Sequence, residues 1–416
     1  MKAFLFLCCL AGGAVAGPAP DLPSLLPGAE LVKVLEQDPE VLAAAAALDL
    51  ATQQARALEQ SPYEWTVRAS GQRRSVDPGA VSNEWNAGLE RTLRLPAKGK
   101  ADRQIAAATF DQGWARYRMA RRAAARSLIE AWLEWQSAQQ QQMLAAAQQS
   151  GAKGIVAAVD KRIRAGDASQ LDASLARAEL AEQQRLENEA KTAATVAAVR
   201  IHARFPGLPA SAATMEAPVP ISQSAQELRQ RMMEANVTLR DAQTQLLIAK
   251  GQQERASAER LPDPTVGIYT GREARGQERI TGISLSIPIP GPQRGTRAGA
   301  ASATAEMTRQ EVELRRRELD ANVAALLATA DGSYAGWQIA QAGAAEMRDN
   351  ARLMQRAYAL GEVDLQALLS AGRLATAAEQ TALAARTSAL RAYWAVMLEA
   401  NLLWEDSVER VPALAR

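Results

Sequence analysis

The side chains that most often bind a transition metal, histidine and cysteine, are scarce in this sequence. Its 416 residues include one histidine, His202, and two cysteines, Cys8 and Cys9. Zinc and copper sites are usually built from several His or Cys ligands, so we expect no such set within one chain. Walker, G-x-S-x-G and H-E-x-x-H motifs do not occur either. We therefore predict no catalytic residue, no cofactor and no metal site, and we expect His202 to be packed or on the surface.

The first sixteen residues have the pattern of a secretory signal peptide. Lys2 precedes an apolar run at 3–10, and Ala14-Val15-Ala16 fits the small-residue cleavage pattern. Both cysteines lie inside this segment, so the mature chain is expected to lack cysteine. Lipidation is not expected, because Leu7 before Cys8 is not the small residue that an acylated cysteine requires.

Composition favours long, thin helical packing over a thick globular core. Hydrophobic residues make up 48% of the chain but aromatic residues only 4%, and alanine suits helices that approach closely. After the signal, no apolar run reaches the roughly 18 residues of a membrane-spanning helix. Removal of Lys2 lowers the basic count from 48 to 47, against 46 acidic residues. This balance argues against nucleic-acid binding.

The chain is internally duplicated. The stretch at 61–74 parallels that at 261–274, and the stretch from Gly88 parallels that from Gly282. Each half also contains a glycine followed by an acidic residue, at 166–167 and 361–362. The distance from the matched proline to this glycine is nearly the same in both halves. It is 70 positions from Pro96 to Gly166 and 71 positions from Pro290 to Gly361.

Each half predicts one order of elements: a helix, two strands, a very long helix and a returning helix. In the first half these elements are expected at 29–60, 62–73, 84–95, 101–162 and 169–204. In the second half they are expected at 222–260, 264–272, 280–289, 297–358 and 364–408. The expected domains are a signal (1–16), a first repeat (17–204), a Pro-rich linker or belt (205–224), a second repeat (225–410) and a tail (411–416).

The four predicted strands have the length of membrane-crossing strands, about 9–11 residues. Tyr63, Trp65, Trp85 and Tyr269 are expected near strand ends, where an aromatic girdle would lie. Four strands cannot close a barrel, but three copies would supply twelve. An antiparallel sheet resting on a helical bundle is the alternative.

Prolines mark the two expected junctions between strand and helix. They are Pro96 in the first half and Pro288, Pro290 and Pro292 in the second. Proline neither pairs inside a sheet nor continues a helix, so it favours a turn between the two structures.

This combination of signal, duplication, paired strands and long helices resembles the TolC-like outer membrane factors, or outer membrane efflux proteins. The stretches "SLSIPIPGPQRG" and "YALGEVDLQALLSAGR" are similar to the family's most recognisable segments, and the similarity covers nearly the whole mature chain. The chain length and short strand connections look most like the CzcC-type heavy-metal branch that serves RND pumps.

The resemblance implies a mostly α fold with a small β part. Long antiparallel helices would form an α-barrel tunnel, and four strands per chain would join a shared twelve-stranded transmembrane β-barrel in a homotrimer. The trimer would be a passive exit duct in the outer membrane of a Gram-negative bacterium, in contact with its lipid and extending into the periplasm. Its partners would be a periplasmic adaptor (membrane fusion protein) and an inner-membrane RND-type pump, and its cargo heavy-metal cations.

The resemblance also places periplasmic tips at the turns between long and returning helices. The candidate tip and aperture residues are Arg164, Gly166, Asp167, Asp172, Gly361, Glu362 and Asp364. The family's acidic aperture positions hold Ala367 and Ser370 here, so we expect Asp364 and Asp172 to replace them. Threefold rings of carboxylates can select cations.

Helix capping is the alternative role for these acidic residues. Asp167, Glu362 and Asp364 all precede a returning helix, where a carboxylate stabilises the N-terminus. Gly166 and Gly361 are expected to form the turns themselves.

Two arginine clusters occupy equivalent positions on the long helices, Arg121-Arg122 and Arg315-Arg316-Arg317. We expect them on a solvated outer face; a belt that faces the adaptor is the alternative. For the whole chain, the alternatives to an efflux duct are a soluble periplasmic coiled-coil adaptor or scaffold, and a drug or secretion duct of the same fold.

Overall fold

The computed structural model describes residues 28–75, 77–79, 81–209 and 214–403. The predicted signal peptide (1–16) and the whole predicted tail (411–416) lie outside the described residues. The described elements of the first half are α1 (Gly28–Glu36), α2 (Pro39–Glu59), β1 (Trp65–Ser75), β2 (Val81–Thr92), α3 (Pro96–Ala165) and α4 (Gln170–Arg204). Those of the second half are α5 (Ala225–Ala235), α6 (Val237–Ala258), β3 (Thr265–Glu273), β4 (Glu278–Ser286), α7 (Gln293–Leu360) and α8 (Leu365–Glu399).

The duplication predicted from the sequence is confirmed, because both halves repeat one order of elements. The very long helices α3 and α7 have 70 and 68 residues, about 100 Å at 1.5 Å per residue. Each packs against the returning helix of its own half, α3 with α4 and α7 with α8. No helix among the described residues is both long enough and apolar enough to cross a membrane.

The first helix of each half is broken, so the single helices predicted at 29–60 and 222–260 are wrong. In the first half Asp38 caps α2 and accepts a 2.8 Å hydrogen bond from the Glu40 N–H. Pro39 follows, and a residue before proline is disfavoured in the helical region. In the second half Asn236 caps α6 and accepts a 2.8 Å bond from the Leu239 N–H.

The four strands form one antiparallel sheet in the order β1-β2-β3-β4. The two hairpins are joined through β2 and β3, which come from different halves, with Gly88 opposite Tyr269. Strands β1 and β4 therefore lie at the two edges, and within the described chain neither has a partner on its outer side. Strand β4 ends at Ser286 rather than at the predicted residue 289, because Pro288 and Pro290 lack the N–H that pairing requires.

A compact aromatic core lies near the middle of α3, although few aromatics were available to build it. Trp132 and Trp135 are buried there and meet edge to face, with ring centroids 5.3 Å apart. The segment after α4 contributes buried Phe205 and Met215 to the same core. The Arg386 side chain of α8 donates to the Glu216 carbonyl at 2.9 Å, so the described parts of this segment pack on the helices.

Replacing Trp132 by Ala tests the importance of this core. Trp132 is 2% exposed, and removal of a fully buried indole costs about 3–5 kcal/mol. We expect a marked fall in the thermal unfolding midpoint of purified protein, followed by circular dichroism at 222 nm. Trp132→Phe leaves a smaller cavity and should cause a smaller fall; equal midpoints for all three proteins would contradict the packing described.

Candidate channel wall and its two ends

One face of the sheet is apolar. Strand pairing places Val67, Leu89, Ile268 and Ile283 in one row across all four strands. Val67, Ile268 and Ile283 are 76%, 61% and 83% exposed, so no part of the described chain covers them. A continuous row of exposed branched side chains is costly in water and suited to lipid.

Tryptophans stand at both ends of this apolar face. Trp65 lies two rows to the helix side of Val67, and Trp85 is opposite Gly71 at the hairpin side. Both are exposed, at 61% and 47%, and the rows of residues 65 and 71 are about 20 Å apart at roughly 3.3 Å per residue. Two of the four predicted girdle aromatics thus have the spacing of a band between two membrane interfaces.

Of the other two predicted girdle residues, Tyr269 does not lie near a strand end, so that part of the prediction is wrong. Tyr269 is in the middle of β3 on the opposite face, where its ring covers Gly282. A Cβ at Gly282 would lie 2.6 Å from the Tyr269 ring, so only glycine fits beneath it. Tyr63 precedes β1 and belongs to the junction with the helices.

The opposite face of the sheet is polar and internally paired. Arg68 and Glu90 form an ion pair at 2.6 Å between adjacent strands. Gln72 donates to Glu84 at 2.8 Å, and Arg74 lies 3.3 Å from the same carboxylate. A sheet with one apolar and one polar face is the pattern of a barrel wall between lipid and a water-filled interior.

A buried ion cluster, centred on Asp263 of the second half, joins the sheet to the helices at the junction of the first half. Asp263 receives hydrogen bonds from the Tyr63 hydroxyl at 2.8 Å and the Leu95 N–H at 3.0 Å. Lys98 Nζ lies 2.9 Å from the same carboxylate, and both side chains are less than 5% exposed. This carboxylate therefore holds together the start of β1, the end of β2 and the first turn of α3.

Arg94 extends the cluster into α3. Its guanidinium donates to Asp102 at 2.7 and 3.0 Å and lies 3.4 Å from Asp263. Arg255 of α6 lies 3.3 Å from the second Asp102 oxygen. Burial alone lowers the pKa of Arg94, but the hydrogen bonds and charge of Asp102 outweigh it and the pKa is raised.

The cluster also sets the ionisation of its central groups. Burial by itself raises the pKa of Asp263, but the bonds from Leu95, Lys98 and Tyr63 outweigh it and the pKa is lowered. The Tyr63 pKa is raised, by burial first and by its bond to Asp263 second. Asp263 is consequently a buried carboxylate that stays charged.

The junction of the second half is built differently. The chain leaves β4 at Ser286 and α7 begins at Gln293, with Pro292 at its N-cap position. Between them Ile287 and Ile289 are 57% and 95% exposed. The Arg294 guanidinium donates to the Glu259 carbonyl. In the first half, by contrast, Pro96 is the first residue of α3 and stands beside the buried cluster.

Both candidate tips end their long helices in the same way. Gly166 and Gly361 have φ values of 88° and 79°, a region that favours glycine. The N–H of Asp167 bonds to the Arg162 carbonyl at 2.8 Å, and that of Glu362 to the Ala357 carbonyl at 2.9 Å. These are Schellman motifs, in which the residue after the glycine satisfies a free helix carbonyl.

Two candidate aperture carboxylates cap the returning helices. Asp364 accepts a 2.7 Å bond from the Ala367 N–H. Asp172 forms a capping box with Ser169, whose N–H donates to it at 2.9 Å. That N–H, together with the Ser169 hydroxyl, lowers the pKa of Asp172. The side chains of Asp167 and Glu362, like that of Arg164, are exposed, and a role in lining an aperture stays a prediction for all of them.

The two tips pack against one another. Arg162 of the first tip lies 4.8 Å from the Tyr358 ring centroid and donates to its carbonyl at 3.3 Å. A small apolar cluster fills the space between the four helix ends: Val159, Ala173, Ala176, Tyr358, Leu365, Leu368 and Leu369. Farther along, Arg373 of α8 pairs with the buried Glu179 of α4 at 2.6 Å.

The structure also places the remaining residues named from the sequence. His202 packs edge to face on Trp135 at 5.1 Å. Arg315 and Arg317 are 57% and 77% exposed at their side chains, as expected for a solvated face. The same expectation is wrong for Arg122, whose side chain is 11% exposed and lies 3.7 Å from Glu399. Among the described residues no group of His, Cys, Asp and Glu has a metal-binding arrangement.

Replacing Asp263 by Asn should destabilise the junction strongly, because Lys98 would be left buried without its counter-charge. Breaking a buried pair in this way costs about 3–5 kcal/mol. Asp320→Asn is the matched control, since its partner Arg229 is half exposed and a surface pair is worth about 1 kcal/mol or less. Thermal unfolding in detergent gives the comparison.

The same variant has a predicted pH signature. Because the folded-state pKa of Asp263 is lowered, its stabilisation is present above the ordinary carboxyl value of about 4 and is lost as pH falls through the folded-state value. Wild type should therefore lose stability more steeply in acid than Asp263→Asn. Parallel acid profiles of the two proteins would contradict the assigned role.

Known proteins share this architecture. Residues 31–204 match the family described as outer membrane efflux protein. The Campylobacter jejuni CmeC outer membrane channel has a TM-score of 0.74 at 15% identity, over 91% of this chain and 87% of its own. A Pseudomonas aeruginosa membrane protein has a TM-score of 0.74 at 18% sequence identity, over 95% of this chain and 100% of its own. CusC, whose structures concern transmembrane channel formation, has a TM-score of 0.71 at 18% sequence identity, over 88% of this chain and 91% of its own.

Among curated proteins, no sequence matches the chain significantly. The relation to the family therefore depends on the sequence of the first half and on a fold shared over about nine-tenths of the chain. The two repeats, the four-stranded sheet and the long paired helices are all part of that shared fold. The chain thus has the fold of these outer membrane channels, and its residues 31–204 carry the sequence pattern of the outer membrane efflux protein family.

Proposed function

We propose that the chain is the outer-membrane channel of a tripartite efflux system, a passive duct through which cargo leaves the periplasm. The observation that carries this proposal is the four-stranded sheet with one exposed apolar face, one paired polar face and two unpaired edges. A soluble adaptor or scaffold is the main alternative, but in it this apolar face would be exposed to water. The fold of outer membrane efflux channels agrees with the proposal.

In the proposed assembly three chains share one twelve-stranded barrel. Backbone groups at a sheet edge must be paired when they enter lipid, and β4 of one chain next to β1 of another would pair them. The helices would then form the tunnel across the periplasm. Pro96 and the prolines at 288, 290 and 292 would mark the level at which barrel becomes tunnel.

The partners in this proposal are a periplasmic adaptor and an inner-membrane RND-type pump. They would dock at the tips, near Arg164 and Gly166 in the first repeat and Gly361 and Glu362 in the second. A heavy-metal cation is the proposed cargo, on the resemblance in chain length and strand connections to the CzcC-type branch. Exported drugs are the alternative, and a deletion strain challenged with zinc, cadmium, copper and common drugs separates the two.

Cell fractionation tests the proposed location. A channel should sediment with the outer membrane, require detergent for release, and migrate as a trimer when the sample is not heated. Its apolar row of Val67, Ile268 and Ile283 is the physical reason, since it needs lipid or detergent to cover it. Recovery as a soluble monomer in the periplasmic fraction would establish the adaptor alternative instead.

Single-channel recording tests whether the tip carboxylates line an aperture. Asp172 and Asp364 changed together to Asn keep an oxygen able to cap a helix but lose the charge. We expect a weaker preference for cations, seen as a shift of the reversal potential in a salt gradient across a planar bilayer.

The matched variant changes both residues to Ala and removes charge and cap together. It should show the same change in selectivity together with a stability loss of about 1 kcal/mol per cap. An unchanged reversal potential in both variants would leave these two residues with the capping role alone.

A further inference from the structure

Charged side chains at the hairpin end of the sheet are sorted by face. This end consists of the strand rows next to the connections at 77–79 and 274–276. The apolar face carries three exposed arginines there, Arg73, Arg272 and Arg279. The polar face carries the acidic residues of the same region, Glu84, Glu273 and Glu278. No acidic residue of the described strands lies on the apolar face.

Two of these arginines are placed against each other. Arg272 and Arg279 are direct partners across β3 and β4, where Cα atoms are about 4.5–5.5 Å apart. Like charges in such a pair destabilise a sheet. Neither these two arginines nor Arg73 forms an ion pair or a side-chain hydrogen bond with any described residue. On the polar face, by contrast, Arg74 lies 3.3 Å from Glu84 and 3.6 Å from Glu273.

The other end of the apolar face differs. Its one arginine, Arg91, lies 5.4 Å from the Trp65 ring centroid, so that charge is partnered within the chain. An arrangement of guanidinium groups that needs an external anion therefore occurs only at the hairpin end of the described sheet. That end points away from the long helices and so, in the proposed orientation, toward the outside of the cell.

We propose that Arg73, Arg272 and Arg279 bind the phosphate groups of an anionic lipid in the outer leaflet of the membrane. This inference rests on the proposed function. Guanidinium groups bind phosphate through paired N–H donors, and phosphate would relieve the repulsion between Arg272 and Arg279. Trp85, in the row of Arg272, lies at headgroup level.

The apolar row beneath the arginines identifies the source of the phosphate as a lipid rather than a free ion. Ile268 and Ile283 lie on the same face as Arg272 and Arg279, four residues along each strand. Four residues span about 13 Å at ~3.3 Å per residue, so a headgroup at the arginines directs its acyl chains over the isoleucines. A trimer would present three such sites.

Native mass spectrometry of the detergent-solubilised full chain tests the proposal, with diphosphorylated lipid A as the probe and its fully dephosphorylated form as the comparison. Wild type should retain the phosphorylated lipid preferentially. The triple variant Arg73→Gln, Arg272→Gln, Arg279→Gln should bind it about tenfold or more weakly, because it lacks the three guanidinium groups that attract the phosphates. Binding of the dephosphorylated form should not change.

A matched variant controls for the loss of three positive charges. Arg315→Gln, Arg316→Gln, Arg317→Gln removes the same charge from α7, away from the sheet, and should bind like wild type. The triple Lys variant at 73, 272 and 279 keeps the charge and should retain most of the binding. Circular dichroism and migration of the unheated oligomer show whether each variant is folded.

The proposal would be overturned if the α7 variant lost as much binding of the phosphorylated lipid as the sheet variant. It would also be overturned if wild type bound both lipid forms equally. A protein that fractionates to the outer membrane and conducts ions, yet shows no preference for the phosphorylated lipid, contradicts this inference alone. A soluble monomer contradicts the proposed function, and with it this inference.

Discussion

The peptide N–H and C=O groups along the outer edges of β1 and β4 must find hydrogen-bond partners, and this need constrains everything else about the sheet. In water such an edge is solvated; in lipid each unpaired group costs several kcal/mol. The described chain supplies four strands, with an apolar face that water does not favour. If further copies continue the sheet until it closes, the edge groups are paired and the apolar face can lie in lipid. The long helices, the junctions and the tips then surround the same axis.

The two halves solve the transition from strand to helix in different ways. At the junction of the first half, Asp263, which lies in the second half just before β3, ties the start of β1, the end of β2 and the first turn of α3 into one buried ion cluster. In the second half, exposed isoleucines and prolines lead from β4 into α7. Duplication alone would give two equal junctions. The observed difference leaves one junction fixed within the chain, and the other free to contact a neighbouring chain in the proposed channel.

Patterns local in sequence predicted much of the fold. Alternation indicated the strands, the absence of proline indicated α3 and α7, and the Gly-acidic pairs indicated the turns at which these two helices end. The breaks at Asp38 and Asn236 were missed because helix-forming residues on both sides concealed a single capping residue. The ion cluster was missed because its partners are far apart in the chain: Tyr63 and Asp263 are 200 positions apart. Only one part of the cluster is local in sequence. It consists of Arg94, Lys98 and Asp102, charged residues at helical spacing around Pro96.

Disulfide crosslinking between strand edges tests the central claim most directly, that the sheet closes only with other copies. One cysteine replaces Val67 on β1 and a second replaces Thr281, Ile283 or Leu285 on β4, in the expected cysteine-free mature chain. Pairing of β1 with β4 predicts that at least one combination forms crosslinked dimers and trimers under mild oxidation, while neither single variant forms trimers. Chains that remain monomeric in every combination, although inserted in the membrane, would contradict the shared barrel.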